Sequence, residues 1–304
     1  MTKARHLLDL DDATRADIEK LVARALEHKR GVEGAARLLQ GRMILGMFFE
    51  ASTRTALSFA AAGMRLGAHW LDFNASSSSL AKGESVEDTM RTVRAIGVDA
   101  IVVRHAESGF PHEMARHFDG SVINAGDGRH AHPTQGILDA VTLIEEFETL
   151  DGRHLVVAGD VAHSRVARSS ARAAWLLGAK VTLCGPPLLL PAMAPGWGFA
   201  SLATDLDSVL PSADAVMLLR IQKERSDGTE LPPFADLAAC FGLDERRMAT
   251  LAPHAIVMHP GPVNRGIEIA SRLVTHERSR IERQVSNGVF ARMAVLESCL
   301  AGTS

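Results

Sequence analysis

An apolar, strand-like run gives way to a helix-like run at Met47-Phe48-Phe49-Glu50-Ala51-Ser52-Thr53-Arg54-Thr55-Ala56. Residues 43–49 are uncharged and favour a β-strand, whereas residues 57–66 are rich in Ala, Leu and Met. This change of pattern predicts that residues 52–55 lie at the N-terminus of a helix. Such an end presents unpaired backbone N–H groups and the positive pole of the helix dipole, which together favour an anion.

The side chains at this helix end suit a phosphate. Hydroxyl groups and a guanidinium donate short, charge-assisted hydrogen bonds to phosphate oxygens, and the sequence supplies both in Ser52, Thr53, Arg54 and Thr55. The alternative is an ordinary Ser or Thr N-cap followed by a solvated arginine. Taken alone, these four residues do not separate the two interpretations. We call residues 52–55 the phosphate seat.

The composition is that of a globular protein with room for two domains. A chain of 304 residues is long enough for two α/β domains that each bury a core. The formal net charge of −3 excludes the basic field typical of nucleic-acid binding, so an anionic ligand requires local clusters of cations. The three cysteines are odd in number and widely spaced, which favours free thiols and a cytoplasmic location; they are Cys184, Cys240 and Cys299.

We expect neither a signal peptide nor a membrane span. The chain reaches Asp9, Asp11 and Asp12 without a long apolar region. Residues 181–204 carry no charge, but four prolines and three glycines interrupt them. These residues therefore predict a strand followed by a loop.

Polar side chains follow several predicted strands at the point where each strand ends. Asp99-Ala100-Ile101-Val102-Val103 ends in Arg104-His105, and the predicted strand of residues 213–219 ends in Arg220-Ile221-Gln222. A third apolar run, residues 255–258, leads into His259-Pro260-Gly261-Pro262. The carboxyl ends of buried parallel strands are where α/β proteins place ligand chemistry.

A second anion-binding helix end is predicted at His132-Pro133-Thr134-Gln135. The proline marks the first helical position, so His132 and Gln135 lie about one turn apart near the positive end of a long helix. Both side chains could face the anion of the phosphate seat. His132 could equally serve only as the cap of this helix, and the residues leave the choice open.

A second set of alternating strands and helices begins at His154, after Leu150-Asp151-Gly152 breaks the long helix. A dinucleotide-binding turn requires G-x-G-x-x-G, but this turn reads Gly159-Asp160-Val161-Ala162-His163. We therefore expect no nicotinamide cofactor. The sequence contains neither a Walker-type glycine loop nor a metal-ligand cluster.

Together these motifs resemble the transcarbamoylases, the aspartate/ornithine carbamoyltransferase family. Phe49-Glu50-Ala51-Ser52-Thr53-Arg54-Thr55 is similar to the carbamoyl-phosphate signature of that family, and His132-Pro133-Thr134-Gln135 to its second signature. The similarity spans nearly the whole chain. The aspartate branch is indicated by Ser79-Leu80-Ala81-Lys82-Gly83-Glu84, Val103-Arg104-His105, Leu219-Arg220-Ile221-Gln222-Lys223-Glu224-Arg225 and His259-Pro260-Gly261-Pro262-Val263-Asn264-Arg265-Gly266. The ornithine branch would be expected to carry a His-Cys-Leu-Pro loop at this last position.

The resemblance implies a fold and a reaction. The fold is α/β, with two similar α/β domains whose parallel sheets are flanked by helices. We expect a carbamoyl-phosphate domain at residues 1–148, joined by a C-terminal helix at residues 286–304, and an aspartate domain at residues 149–285. The implied reaction carbamoylates the amino group of L-aspartate in de novo pyrimidine biosynthesis, and the alternative acceptor is ornithine or a related amine.

The resemblance also implies partners. It predicts a homotrimer whose active sites are shared between neighbouring chains, with neither a metal nor a cofactor. Nucleic acid and membranes are not expected partners. A regulatory chain or a dihydroorotase as a further partner stays open.

Carried across residue by residue, the resemblance gives the expected site. The catalytic residues are Arg54, Thr55, Arg104 and His132. The carbamoyl-phosphate-binding residues are Ser52, Thr53, Arg54, Thr55, Arg104, His132, Gln135, Gly261 and Pro262, the last two through backbone carbonyls. The aspartate-binding residues are Lys82, Arg165, Arg220 and Gln222, with Lys82 and Ser79 supplied by the neighbouring chain.

Two departures from the family pattern concern local contacts. The chain has no tyrosine, and His163 stands near Arg165, where relatives can have a phenol. The serine run leaves open whether Ser78 or Ser79 is the loop serine.

Overall fold

The computed structural model of the protein describes residues 6–74, 78, 83–191, 197–220 and 233–301. The chain forms two compact units. Unit 1 comprises Met1–Val141 and Ser286–Ser304, and unit 2 comprises Thr142–Val285.

Unit 1 contains a parallel sheet of four strands. In chain order these are β1 (Met43–Phe48), β2 (His69–Phe73), β3 (Ala100–His105) and β4 (Ser121–Asp127). Their order across the sheet is β2-β1-β3-β4, and every neighbouring pair is parallel. The two central strands are apolar and largely buried, as expected for a parallel sheet.

The helices of unit 1 follow the apolar periodicity of the sequence. They are α1 (Arg15–Arg30), α2 (Thr53–Arg65), α3 (Val86–Ile96), α4 (Phe110–His117) and α5 (Pro133–Phe147). The spacing of Ser85 and Asp88 in the sequence predicts a capped helix start, and Ser85 caps α3 by accepting a hydrogen bond from the backbone N–H of Asp88. A core forms where α3 and α4 pack on the sheet; its members include Leu45, Met47, Met90, Val93, Ile101, Val103 and Met114.

Unit 2 contains a parallel sheet of five strands. They are β5 (His154–Ala158), β6 (Lys180–Cys184), β7 (Ser201–Ala203), β8 (Ala215–Leu218) and β9 (Ile256–Met258), in the order β7-β6-β5-β8-β9. The described helices of unit 2 are α6 (Arg165–Leu176), α7 (Leu206–Val209), α8 (Phe234–Phe241) and α9 (Glu245–Thr250), while most of α10 (Ile281–Leu300) belongs to unit 1. The predicted fold class, two parallel-sheet α/β domains flanked by helices, is confirmed.

Several element boundaries differ from the sequence-based prediction. The sequence predicts a short strand at residues 122–124, but β4 continues through Gly126 to Asp127, because Asp127 is buried and its carboxylate accepts hydrogen bonds from the backbone N–H groups of Gly109 and Ala131. The apolar residues 181–204 contain a second short strand, β7, which pairs with β6. Helix α10 begins at Ile281, earlier than the expected residue 286.

The cysteines and the helices match two further expectations. Cys184, Cys240 and Cys299 are free thiols, as their number and spacing predict. Among the described residues, every helix is too short or too polar to cross a membrane.

An ion pair within unit 2 gives the first stability prediction. Arg247 donates from Nε to Asp207 Oδ1 (2.9 Å) and from Nη2 to Oδ2 (3.1 Å). These hydrogen bonds lower the pKa of Asp207 from 3.8 to about 2. A lowered carboxyl pKa stabilises the fold above pH 3.8, and this stabilisation is lost as the pH falls towards 2.

We expect Asp207→Asn to reduce the free energy of unfolding by about 1 kcal/mol at pH 7. This figure is discounted because the Asp207 side chain is 41% exposed and therefore partly screened by solvent. Urea unfolding at pH 7 and pH 3 measures it. The difference in unfolding free energy between the unaltered protein and Asp207→Asn should be smaller at pH 3 than at pH 7. An equal difference at both pH values would contradict a stabilising Asp207–Arg247 ion pair.

Candidate active site

The carboxyl ends of β1 and β3 form a topological switch point in unit 1. The chain leaves β1 for β2 on one side of it, while β3 lies on the other side. Phe48 pairs in register with Arg104, and the Phe49 N–H donates to the Arg104 carbonyl at 2.9 Å. Ligands of open α/β sheets bind at such points. The structure thus brings Arg104 beside the turn that carries the phosphate seat.

The phosphate seat occupies the N-terminus of α2, as predicted. Ser52 holds the N-cap position, and its carbonyl accepts the first helical hydrogen bond, from the Ala56 N–H at 3.1 Å. Its hydroxyl makes no capping bond within the described part of the chain. The simple N-cap interpretation is therefore wrong for the Ser52 hydroxyl, and the first-turn N–H groups lack that partner. Arg54 is exposed at this end, whereas Thr55 is buried.

Arg104 reaches groups on both sides of β3. Its Nε lies 3.4 Å from Glu50 Oε2, and its Nη1 lies 3.5 Å from the Ala125 carbonyl of β4. A carboxylate beside an anion site repels the ligand unless a cation compensates its charge. Arg104 supplies that cation, so the Glu50–Arg104 contact keeps the seat from being locally acidic.

Helix α5 begins next to this switch point, after β4. The His132 carbonyl accepts hydrogen bonds from the backbone N–H groups of Gln135 (2.9 Å) and Gly136 (3.2 Å), so His132 caps the helix through its backbone. Both His132 and Gln135 are buried. The Gln135 side chain donates from Nε2 to Asp139 Oδ1 at 3.0 Å.

A buried carboxylate holds the β4–α5 connection in place. Asp127 accepts hydrogen bonds from the backbone N–H groups of Gly109 (2.7 Å) and Ala131 (3.1 Å) and from Asn124 Nδ2 (2.7 Å). Burial raises the pKa of Asp127, but hydrogen bonds, including one with His130, outweigh burial and leave this pKa below its ordinary value. Asp127 therefore stays ionised and fixes the turn that leads to His132.

Unit 2 repeats the layout, with its switch point between β5 and β8. Gly159 follows β5 with φ of +122°, and a Cβ there would lie 3.0 Å from the Leu219 carbonyl, so the close approach requires glycine. Arg165 is the first residue of α6 and is buried, and Arg220 directly follows Leu219. One predicted aspartate ligand, Arg165, therefore starts the helix that follows β5, and another, Arg220, lies just after the end of β8.

The tyrosine-free turn between β5 and α6 has its own polar pair. His163 Nδ1 lies 2.8 Å from Asp160 Oδ1, and both side chains are buried. Ser164 caps α6 by accepting a hydrogen bond from the Ala167 N–H. Arg165 is thus presented by a turn that the His163–Asp160 contact fixes locally.

The loop after β9 is held by side chains as well as by its prolines. The Gly261 N–H donates to His259 Nδ1 (2.8 Å), and the His259 N–H donates to Gln284 Oε1 (2.9 Å). His259 Nε2 lies 3.5 Å from Glu268 Oε1. These contacts set the direction of the backbone at Gly261 and Pro262, whose carbonyls are the predicted ligands.

Three expected loop residues lie outside the described residues, namely Ser79, Lys82 and Gln222. Ser78, the alternative loop serine, is described and buried. Sequence reasoning missed Glu50 and Asp139. Asp139 had a usable signal, since it lies four residues after Gln135 on the same helix face, whereas the Glu50–Arg104 contact depends on strand order.

One group of side chains has spacing compatible with a metal ion. Ligand atoms of Asp9, Asp11 and His130 lie within 4.8 Å of one another. Asp9 already contacts His112, His130 contacts Asp127, and Asp11 is exposed. We assign no metal site to this group.

Comparison with known proteins identifies the family. Residues 5–145 match the aspartate/ornithine carbamoyltransferase carbamoyl-P binding domain, and residues 151–299 match the Asp/Orn binding domain of the same family.

Individual relatives agree with this match. The chain is 48% identical to the aspartate carbamoyltransferase catalytic subunit of Acidothermus cellulolyticus, covering 98% of this chain and 93% of that protein. It is 47% identical to the Myxococcus xanthus subunit, covering 98% and 100%. The Trypanosoma cruzi aspartate transcarbamoylase structure with carbamoyl aspartate and phosphate superposes with a TM-score of 0.89 at 32% identity, over 98% and 97% of the two chains. These findings confirm the resemblance: the chain belongs to the aspartate/ornithine carbamoyltransferase family.

Proposed function

We propose that this enzyme transfers the carbamoyl group of carbamoyl phosphate to the amino group of L-aspartate, giving N-carbamoyl-L-aspartate and phosphate. The observation that carries the proposal is the phosphate seat beside Arg104, together with Arg165 at the start of the helix after β5 and Arg220 just after β8 in unit 2. Two anionic substrates need two cationic sites, and each unit supplies one. We assign the reaction to de novo pyrimidine biosynthesis in the cytoplasm.

Residues of unit 1 hold the donor in this proposal. Ser52, Thr53, Arg54 and Thr55 bind the phosphate at the helix N-terminus, where the dipole and N–H groups add to the guanidinium. Thr55, Arg104 and His132 donate to the carbonyl oxygen, on which negative charge grows during attack. Prepositioned donors of this kind are worth about 3 kcal/mol each in the barrier.

The carbamoyl amine and the acceptor complete the assignment. Gln135 Oε1 and the carbonyls of Gly261 and Pro262 accept hydrogen bonds from the amine of the donor. The two carboxylates of aspartate bind Lys82, Arg165, Arg220 and Gln222. A terminal ammonium, as in ornithine, would require an acidic pocket instead, which these residue types do not provide.

The carbamoyl transfer needs only the two substrates and the side chains named above. The aspartate amine attacks the carbamoyl carbon, the bond from this carbon to the phosphate oxygen breaks, and the departing phosphate takes up the proton of the amine. The proposal therefore requires neither a metal nor an organic cofactor.

Product analysis tests the reaction. Purified protein mixed with carbamoyl phosphate and aspartate should release one phosphate for each N-carbamoyl-L-aspartate, measured by phosphate assay and by mass spectrometry. Phosphate release without the carbamoylated product would mean simple hydrolysis and would refute the proposal.

We also propose a homotrimer in which Lys82 of one chain completes the site of its neighbour. Arg54→Ala and Lys82→Ala chains, each inactive alone, should regain activity when unfolded and refolded together. About a quarter of the sites in randomly mixed trimers would be intact. A confirmed mixed trimer that stays inactive would refute shared sites. Native mass measurement of the purified complex tests for a regulatory chain or a dihydroorotase partner.

A further inference from the structure

We propose that buried Asp139, with the cation of Arg292 near it, fixes the orientation of the Gln135 amide, so that the site selects a phosphate donor carrying an amine. This inference rests on the proposed function, because it assigns the donor specificity of the same site. Asp139 and Arg292 are positioning residues, since they act through Gln135.

The contact between Gln135 and Asp139 sets the amide orientation. The two residues lie one turn apart on α5, and Gln135 is 7% exposed and Asp139 1% exposed. An ionised carboxylate only accepts hydrogen bonds, so the group that faces it must be the NH₂ of the amide. With Nε2 donating to Asp139 at 3.0 Å, Oε1 has to face the other way.

Arg292 supplies the charge that keeps Asp139 an acceptor. This residue of α10 is 3% exposed, and its guanidinium lies beside α5, because the Cβ position of Gly288 is 2.5 Å from Arg292 Nη1 and 3.4 Å from Cδ2 of Leu138, the chain neighbour of Asp139. Burial lowers the pKa of Arg292 to about 10, and Asp139 opposes that shift, so Arg292 stays charged at neutral pH. A buried cation nearby favours the ionised carboxylate.

Arg292 is itself held by its surroundings. Its Nη1 donates to the Gly288 carbonyl at 3.0 Å, and its guanidinium carbon lies 5.0 Å from the ring centre of Phe59 on α2. A Cβ on Gly288 would lie 2.5 Å from this Nη1, so the glycine leaves room for the guanidinium. Arg292 therefore connects α10 with α2, the helix that carries the phosphate seat.

The orientation of the amide has a chemical consequence for the donor. Carbamoyl phosphate offers N–H donors to Gln135 Oε1, whereas acetyl phosphate has a methyl group of similar size in the same place. A site built to hydrogen-bond a group rejects the analogue that lacks it, because the buried acceptor is left unpaired. If the amide turned round, Nε2 would face the donor's own N–H groups and the preference would be lost.

Asp139→Asn tests the inference with little change in shape. The positive charge of Arg292 attracts the oxygen of the new amide, which turns its NH₂ towards Gln135 and draws Gln135 Oε1 away from the donor. Titration calorimetry with carbamoyl phosphate, acetyl phosphate and inorganic phosphate reads out the effect. We expect carbamoyl phosphate to bind about tenfold more weakly, while acetyl phosphate and phosphate keep their affinities.

A second measurement guards against a purely structural effect. In a protein that already carries Gln135→Leu, adding Asp139→Asn should not change the affinity for any of the three ligands, because the amide through which Asp139 acts is gone. If Asp139→Asn does not fold, Asp139→Ala replaces it with the same expected loss of preference, because it removes the acceptor that holds Gln135 Nε2, whereas Asp139→Glu keeps a carboxylate acceptor and should retain the preference.

The outcomes separate this inference from the proposed function. An equal loss of affinity for all three ligands, or an unchanged preference for carbamoyl phosphate in a folded variant, would overturn the inference alone. Failure of the unaltered protein to form N-carbamoyl-L-aspartate would overturn the proposed function.

Discussion

Replacing Arg54 with alanine is expected to lower kcat/KM for carbamoyl phosphate by about three powers of ten. Arg54 is the guanidinium of the phosphate seat, placed on the positive end of α2. In the proposed reaction its charge serves both the bound phosphate and the charge that grows on the leaving group, so the substitution should reduce kcat as well as affinity. Steady-state kinetics with varied carbamoyl phosphate measures the loss.

We expect Arg54→Ala to have little effect on the stability of the fold. Arg54 is exposed, and its side chain makes neither a hydrogen bond nor an ion pair within the part of the chain that the structure describes. We therefore expect the free energy of unfolding to change by less than about 0.5 kcal/mol. Arg15→Ala, which removes an exposed arginine from α1, is the matched control and should keep full activity. Near-normal turnover by Arg54→Ala would contradict the proposal that residues 52–55 bind the phosphate of carbamoyl phosphate.

Replacing Arg220 with alanine is expected to raise KM for aspartate by about a hundredfold, with little change in the affinity for carbamoyl phosphate. Arg220 follows β8 at the switch point of unit 2, whereas the phosphate seat belongs to unit 1. Removing a charge-assisted hydrogen bond to a carboxylate accounts for the size of the effect. Kinetics with varied aspartate and binding of carbamoyl phosphate alone measure the two quantities.

Arg220→Lys is the matched control for this second substitution. A lysine keeps the positive charge but loses the planar guanidinium that binds a carboxylate through two hydrogen bonds. The KM of Arg220→Lys for aspartate should therefore lie between those of the unaltered protein and Arg220→Ala. Equal losses of affinity for both substrates in Arg220→Ala would argue against a separate aspartate site.

The fold was predictable from local patterns. Apolar runs that end abruptly, as at Arg104 and Arg220, predicted buried parallel strands with polar carboxyl ends, and the structure places both residues there. The helix start after Ser52 was equally clear, because the change from strand-like to helix-like residues is local in the chain.

The supporting contacts of the candidate site were not predictable in the same way. Gln135 was found by its position at a helix start, but Arg292 is distant in sequence and lies near Asp139 only because α10 packs beside α5. The Glu50–Arg104 contact likewise depends on β1 and β3 being neighbours in the sheet. Periodicity identifies which residues are buried, whereas strand order and helix packing determine which of them meet.

The most direct test of the proposed reaction compares two amines. The protein should be assayed with carbamoyl phosphate and either aspartate or ornithine, and kcat/KM determined for each. The proposed acceptor site contains Arg165 and Arg220, which would bind a second carboxylate and repel a terminal ammonium, so we predict turnover with aspartate and essentially none with ornithine. A preference for ornithine would contradict the account.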